Sequence, residues 1–452
     1  MNVGILSLLP PIIIIIVAII TRNTVISLLT GVITCCIIQA KRGVISAVID
    51  LAYKVGCNED TVWYVLFVGL FACMLGLWQK VGATYVLAQK LQKYATNERR
   101  TLVLTWFIGV LVFIDDFTSI AVNATMTKLY DKNRIPRAAL TYIADCTASP
   151  ICILVPFGTW AIFYQGVFSG YDEVTSLGSM MHVYTKMIPS LFYGWLALII
   201  PLLFALKIIP PLWGMKTAYK RAEETGELYT ERTKALNQDE ESNISYDKPF
   251  QRILAFLIPL AVFIATVVVT SDVIIGCIYA LIIEIPMILI IRLAKPGEAY
   301  TACMNGIKDM LELILIVILA YMLRDGLVEI GLADYVISVA KPLVSPAMLP
   351  FITFLICAFL TFVSGSNWGA TLAVAAVIIP LCSAVGGNMI YVLSAIVSGA
   401  AFGAHACFFC DVTVFTSAMT KIDNMEHAIT QLPYAMIAMV LTCVGYLILG
   451  FI

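Results

Sequence analysis

Apolar stretches of membrane-crossing length follow one another along the whole chain, and they leave little choice of fold. A bilayer core takes a helix of about 20 apolar residues. Runs of this character cover residues 5–21, 25–39, 62–78, 102–126, 138–168 and 187–206, then 253–270, 273–291, 311–323, 349–381, 391–419 and 434–452. In lipid every backbone N–H and C=O has to be satisfied within the protein, so such a succession folds as helices. With 61% hydrophobic and 13% charged residues and a mean hydropathy of +0.94, the chain is predicted to be an all-α polytopic membrane protein with the lipid bilayer as its surroundings.

The net charge of −1 and the absence of a basic tail give no footing for nucleic acid or for peripheral membrane binding. Residues 1–4 run into the first apolar stretch without a basic flank or small-residue cleavage site, so that stretch reads as a membrane helix rather than a signal peptide. The 13 cysteines lie mostly inside apolar runs and read as small packing residues. Cys407 and Cys410, beside His405 and Asp411, have the spacing of a metal clip, but the second pair that a structural zinc site needs is missing.

The order of parts repeats. Residues 1–210 form one membrane half and 251–452 a second, joined by the polar linker 211–250. Each half opens with two apolar helices, then a short amphipathic piece (44–54; 299–309), a third helix and a second amphipathic piece. That second piece is repeated in sequence, Val81-Gly82-Ala83-Thr84-Tyr85-Val86 matching Ile330-Gly331-Leu332-Ala333-Asp334-Tyr335-Val336. If residues 102–130 and 349–381 are re-entrant hairpins, each half crosses about five times, and an odd number makes the halves inverted repeats. Arg99, Arg100, Lys132, Arg134, Arg137, the linker, Arg292, Lys295 and Lys421 then share one side, which the positive-inside rule makes cytoplasmic. The N-terminus and Lys41-Arg42 fall on the other side. A cell-membrane location follows.

Corresponding interruptions in the two halves point to the binding site, because unwound backbone survives in a membrane only against protein or a cavity. They are Asp145-Cys146-Thr147-Ala148-Ser149-Pro150 and the segment from Ser398-Gly399 through Gly403 to Asp411.

The strongest polar feature is Phe113-Ile114-Asp115-Asp116-Phe117, two adjacent acids in an apolar run. A charged side chain at bilayer depth costs about 2.5–3.5 kcal/mol even on the mildest scale, so the pair reads as an ion site. Neighbouring carboxylates raise one another's proton affinity, which lets a proton replace a cation. Ser119 and Asn123 fall on the Asp115 face of a helix and add neutral oxygens. Asp145 reads either as a cap of the half-helix that Pro150 begins or as a ligand, with Thr147 meeting freed backbone.

On the repeat's offset Asp115-Asp116 falls on Ser364-Gly365-Ser366-Asn367, followed by Thr371. This is a neutral set of hydroxyls and an amide that suits a cation or carboxylate, or a close helix contact through Gly365, Gly369 and Ala373. His405 is open between packing and a proton or gating role. Asp411 reads as functional from its depth. Arg324-Asp325 and Glu329 read as an interfacial group, and Glu284 as a hydrogen-bonded protonated acid of the scaffold.

Phe113-Ile114-Asp115-Asp116-Phe117, Asp131-Lys132, Arg137-Ala138-Ala139-Leu140-Thr141-Tyr142-Ile143-Ala144-Asp145-Cys146-Thr147-Ala148-Ser149-Pro150, Ser364-Gly365-Ser366-Asn367-Trp368-Gly369, Gly399-Ala400-Ala401-Phe402-Gly403 with His405, Asp411 and Thr413, and Gln431-Leu432-Pro433-Tyr434 resemble the signatures of NhaC-type sodium/proton antiporters. The resemblance implies a secondary active transporter of elevator type that works as a homodimer, carries sodium and protons as its ions, and is neither an enzyme nor dependent on a cofactor. Sodium would be held at Asp115, Asp116 and Asp145. The family's Gly-Asp-His and its following Ser-Pro-x-Ser-Asp-Thr-Thr are replaced here by Gly403-Ala404-His405 and Cys407-Phe408-Phe409-Cys410-Asp411-Val412-Thr413. An acid, a proline and hydroxyls are gone, which keeps open the alternative of sodium- or proton-coupled transport of an amino acid or small carboxylate.

Overall fold

A computed structural model describes residues 3–21, 24–40, 43–82, 86, 90, 92–111, 113, 116, 123, 126–230, 247–270, 272–332, 334, 335, 338, 344–364, 367–408 and 410–452. Among them there is no strand. The helices of eight residues or more are α1 (Leu9–Thr21), α2 (Thr24–Ala40), α3 (Val44–Gly56), α4 (Glu59–Val81), α5 (Glu98–Leu111), α6 (Arg137–Cys146), then, after a six-residue turn of helix Ser149–Leu154, α7 (Thr159–Ser169), α8 (Met180–Met187), α9 (Phe192–Ala205), α10 (Trp213–Thr225), α11 (Pro249–Thr270), α12 (Val273–Ile290), α13 (Pro296–Ile330), α14 (Leu349–Ser364), α15 (Asn367–Val385), α16 (Met389–Ala406), α17 (Asp411–Met419) and α18 (Asn424–Gly450).

By length and composition seven of the described segments are able to cross a membrane, or nine when two bent pairs are counted as one span each. The protein is an all-helical multi-pass membrane protein. Leu349–Ser364 and Asn367–Val385, expected as arms of a re-entrant hairpin, pack on each other, and the segments Pro346–Val363 and Asn367–Val385 are each of spanning length. The amphipathic piece 299–309 is not a separate element. It opens the 35-residue helix α13, because nothing between Gly297 and Ile330 breaks a helix and Gly306 serves a close contact. Val81-Gly82 and Ile330-Gly331 do share a local geometry: each glycine directly follows a helix and takes a left-handed φ, +65° and +77°, the conformation that ends helices.

The chain packs as two compact units. The larger holds Met1–Tyr53, Tyr94–Asp239 and Leu319–Ile452, the smaller Lys54–Lys93 and Glu240–Ile318. In the larger unit the broken stretch Arg137–Ser169 lies in the core, 83% of its apolar window buried against 33% for Asn424–Gly450, which has a wide outward face. Arg324 reaches from α13 to the carbonyl of Gly170 at 2.5 Å, at the C-terminal end of α7, where a cation suits the helix dipole, and pairs with Asp325 at 2.7 Å. From the linker, α10 packs on α18, with Arg221 on Glu426 at 2.6 Å, and the carbonyl of Leu228 accepts from the backbone N–H of Arg137.

The second interruption is not where its glycines suggest. Gly399 and Gly403 lie inside continuous α16 and let α14 approach; a Cβ on Gly403 would stand 2.4 Å from the Thr361 Cβ and 2.8 Å from the Ala358 carbonyl. The helix breaks later, between Ala406 and Asp411. In the smaller unit α4, α11, α12 and the first part of α13 pack through Trp78 on Phe256 and Phe71 on Phe263, with ring centroids 5.0 and 5.9 Å apart. Gly403→Val should overpack the α14–α16 contact and cost about 1–3 kcal/mol or more. A thermal melt of the purified protein should show the lower midpoint, and an unchanged midpoint would mean that the contact yields freely.

Candidate functional site

The first interruption is a two-residue break at Thr147 and Ala148 between α6 and the helical turn starting at Ser149. Alternate residues across it face different partners. Asp145, fully buried, turns to the second half of the chain. Thr147 turns to Asn123, whose amide nitrogen lies 3.3 Å from its hydroxyl, and Ser149 turns to Asp116 at 3.5 Å. A side chain at Gly109 is excluded, because its Cβ would fall 1.9 Å from the Thr147 hydroxyl. Thr147 also donates its hydroxyl to the carbonyl of Ile143 at 2.8 Å, which accepts the Thr147 backbone N–H as well.

Asp145 caps no helix, since the turn at Ser149 has no side-chain cap. Its Oδ2 accepts from Gln431 Nε2 at 2.6 Å and sits 3.1 Å from His427 Nε2, and its Oδ1 is 3.5 Å from the Thr416 hydroxyl. His405 stands 4.0 Å from the same carboxylate, its ring held by the Tyr193 hydroxyl on Nδ1 at 2.6 Å and the Cys146 sulfur on Nε2 at 3.2 Å. Gln431 donates as well to the carbonyl of His405 at 2.6 Å, tying α18 to the end of α16. Thr413, on α17 past the second break, lies 3.4 Å from the carbonyl of Ala404, and Thr420 meets Thr141 at 2.8 Å. Both helix breaks therefore close on one carboxylate.

Asp116 is buried and accepts from the indole N–H of Trp160 at 2.8 Å. The ring of Trp160 packs on Trp368 at 5.3 Å between centroids, and one turn along α7 the hydroxyl of Tyr164 donates to Asn367 Oδ1 at 2.8 Å. One face of α7 thus joins the acid motif of the first half to the amide motif of the second. Thr371 is fully buried a turn beyond Asn367. Asp115, Ser119 and Ser366 lie outside the described residues, as do the side chains of Ser364 and Asp411.

Four buried polar atoms next to these groups have no partner among the described residues: His427 Nδ1, Gln431 Oε1, Asn123 Oδ1 and Asn367 Nδ2. Each costs about 1–3 kcal/mol unless water or a ligand meets it. With Nε2–H donated to Asp145, Nδ1 of neutral His427 is an acceptor that becomes a donor on protonation. No group of three or more His, Cys, Asp and Glu suited to a metal ion occurs among the described residues.

Trp160, Tyr164, Tyr193 and His427 are additions to the residues read from the sequence, and Gln431, read there only as part of a signature, joins the site. His427 and Gln431 fall before residue 434, where the last apolar run begins, yet α18 starts at Asn424. The sequence carried a signal for that start. Asp423 accepts from the backbone N–H of Glu426 at 3.2 Å, an N-cap with an acid three positions on, and His427 and Gln431 follow at helical spacing.

Comparison with known proteins places this arrangement. An uncharacterized protein of Haemophilus influenzae is 27% identical over 98% of this chain and 91% of its own length. The malate-2H+/Na+-lactate antiporter of Bacillus subtilis is 28% identical over 37% of this chain and 36% of its own. Among solved structures, MtrF of Neisseria gonorrhoeae, described with a class of antimetabolite efflux pumps, superposes with a TM-score of 0.65 at 14% identity, covering 91% of this chain and 85% of that one. The YdaH transporter of Alcanivorax borkumensis gives 0.59 at 13% identity, covering 90% and 88%. These two share the fold. Residues 151–451 match the model of the Na+/H+ antiporter family, and with that much of its length matched the chain, a secondary transporter, belongs to that family.

Proposed function

We propose that the protein exchanges sodium for protons, with Asp145 and the pair Asp115 and Asp116 carrying the charge. The observation that supports this reading best is the fully buried Asp145 carboxylate at the junction of two helix breaks, with two imidazoles beside it. A carboxylate in this setting is stable when it is neutralised, and either a proton or a monovalent cation does so. The two neutralisers exclude each other, which is the logic of exchange. His427 and His405 are the side chains beside Asp145 with ring nitrogens that can take up and hand on a proton. Gln431 Oε1, Asn123 Oδ1 and the Thr147 hydroxyl supply neutral oxygens for a desolvated cation.

Ser119, Ser364, Ser366, Thr371, Asp411 and Thr413 complete the proposed set. The same reading takes 1–210 and 251–452 as inverted halves joined by a cytoplasmic linker over 211–250, with hairpins and broken helices moving against a scaffold in a homodimer of the cell membrane.

A second reading, coupled movement of a small carboxylate, is favoured by the free amide N–H of Asn367, a donor for a carboxylate oxygen beside the Trp160–Trp368 pair. The Bacillus subtilis relative, by its name, moves carboxylates together with sodium and protons.

Proteoliposomes loaded with sodium and diluted into sodium-free buffer separate the two readings. Exchange predicts internal acidification without any organic solute. Acidification that appears only with malate, lactate or an amino acid would overturn simple exchange in favour of the second reading. In the same assay Asp145→Asn and Asp116→Asn should abolish the sodium-dependent pH change while the protein still elutes as a folded species. Wild-type exchange in either variant would remove that acid from the mechanism. Trp160→Phe keeps an aromatic ring but takes a donor from Asp116, so the apparent sodium affinity should fall about tenfold, the effect of a lost hydrogen bond to a charged group.

A further inference from the structure

The smaller unit holds an acid that the exchange site does not use. Glu284 lies on the buried stripe of α12 with Cys277, Ala280 and Ile288, and it is fully buried. It was expected to be a hydrogen-bonded scaffold acid, but neither carboxyl oxygen has a partner among the described residues. A buried polar group of this kind calls for a ligand, and an acid at membrane depth marks a functional site by default. No charged side chain of the described residues acts on it.

The titratable groups linked to it electrostatically from other helices are thiols. Cys73 of α4 and Cys303 of α13 interact with each other and with Glu284, and both are only half-buried. Cys277 lies two turns away on its own helix. From α11, Phe263 and Val267 stand against Gly276 of α12. The two thiols sit in matching pentapeptides, Ala72-Cys73-Met74-Leu75-Gly76 and Ala302-Cys303-Met304-Asn305-Gly306. These cross reciprocally: a Cβ on Gly76 would come 2.1 Å from the Ala302 carbonyl, and one on Gly306 2.0 Å from the Ala72 carbonyl. Gly76 and Ala302 also line a cleft of about 460 Å³ walled by Gln79, Thr301, Asn305 and the Lys80–Glu298 pair, whose charged atoms are 3.7 Å apart. The cleft thus reaches the crossing of the two pentapeptides that carry the thiols, and α4 packs on α12, the helix of the acid.

We propose that Glu284 is a proton-binding site of the smaller unit, supplied through this cleft and past Cys73 and Cys303. The carboxylate takes up a proton as an O–H bond and breaks that bond on release, and the thiols act as weak hydrogen-bond donors and acceptors along the way. The site shares no residue with the group around Asp145, so it responds to pH on its own.

Infrared difference spectroscopy of the reconstituted full-length protein tests this. The wild type and Asp145→Asn should both show a protonated-carboxyl C=O band that shifts in D2O, and the near-isosteric Glu284→Gln should lose it. Asn305→Leu, which fills the cleft wall, should slow the exchange of that band several-fold. In wild-type protein dicyclohexylcarbodiimide, which reacts with protonated carboxyls in apolar surroundings, should label the peptide containing Glu284, and the labelling should decline as pH rises. A band that persists in Glu284→Gln, a band that never exchanges with deuterium, or a Glu284 peptide that stays unlabelled at every pH would overturn the proposal. Loss of the band in Asp145→Asn would also overturn it, by placing the proton in the other site.

Discussion

A single buried carboxylate, Asp145, governs how the core of the larger unit is arranged. It is fully buried, so protein groups have to satisfy it, and those groups arrive from three other helices: Thr416 from α17, His427 and Gln431 from α18, and His405 from the end of α16. Because Gln431 bonds both Asp145 and the carbonyl of His405, one amide couples the two helix breaks. Change in the charge on Asp145 therefore alters the reason for four helices to meet. In the proposed exchange, this supplies a physical basis for coupling ion binding to movement, without any remote relay.

Two kinds of contact let the polar core exist. Glycines bring backbones close: Gly399 and Gly403 seat α14 on α16, and Gly109 leaves room for Thr147 and Asn123. Aromatic side chains with a polar tip fill the remaining volume and supply donors, as Trp160 does for Asp116, Tyr164 for Asn367 and Tyr193 for His405. The acids keep donors while the packing stays dry. The smaller unit uses the first device at Gly76 and Gly306 but, among the described residues, supplies no donor to Glu284, and this difference sets its acid apart.

Much of the fold was legible in the chain because lipid imposes one strong rule. Apolar runs such as 25–39, 62–78 and 253–270 became α2, α4 and α11 to within four residues at each end, and the break at Thr147–Ala148 fell where Asp145 to Pro150 announced it. Glycine proved an ambiguous sign. Gly399 and Gly403 read as an interruption but are packing residues, since a missing side chain serves a close helix contact as well as a turn. His427 was missed, and Gln431 read only as part of a signature, because hydropathy places a helix by its apolar part, and the polar first turns of α18 reach the core only through the fold.

By itself the sequence determined an all-helical membrane protein, the acids too expensive to leave in lipid, and the sites where helices give way, because each follows from local hydropathy and backbone chemistry. Only the tertiary structure decided which groups answer those acids. His427 stands 282 positions from Asp145 and Trp160 stands 44 from Asp116. No local pattern specifies such pairings, which arise when helices pack and every buried polar group has to find a partner.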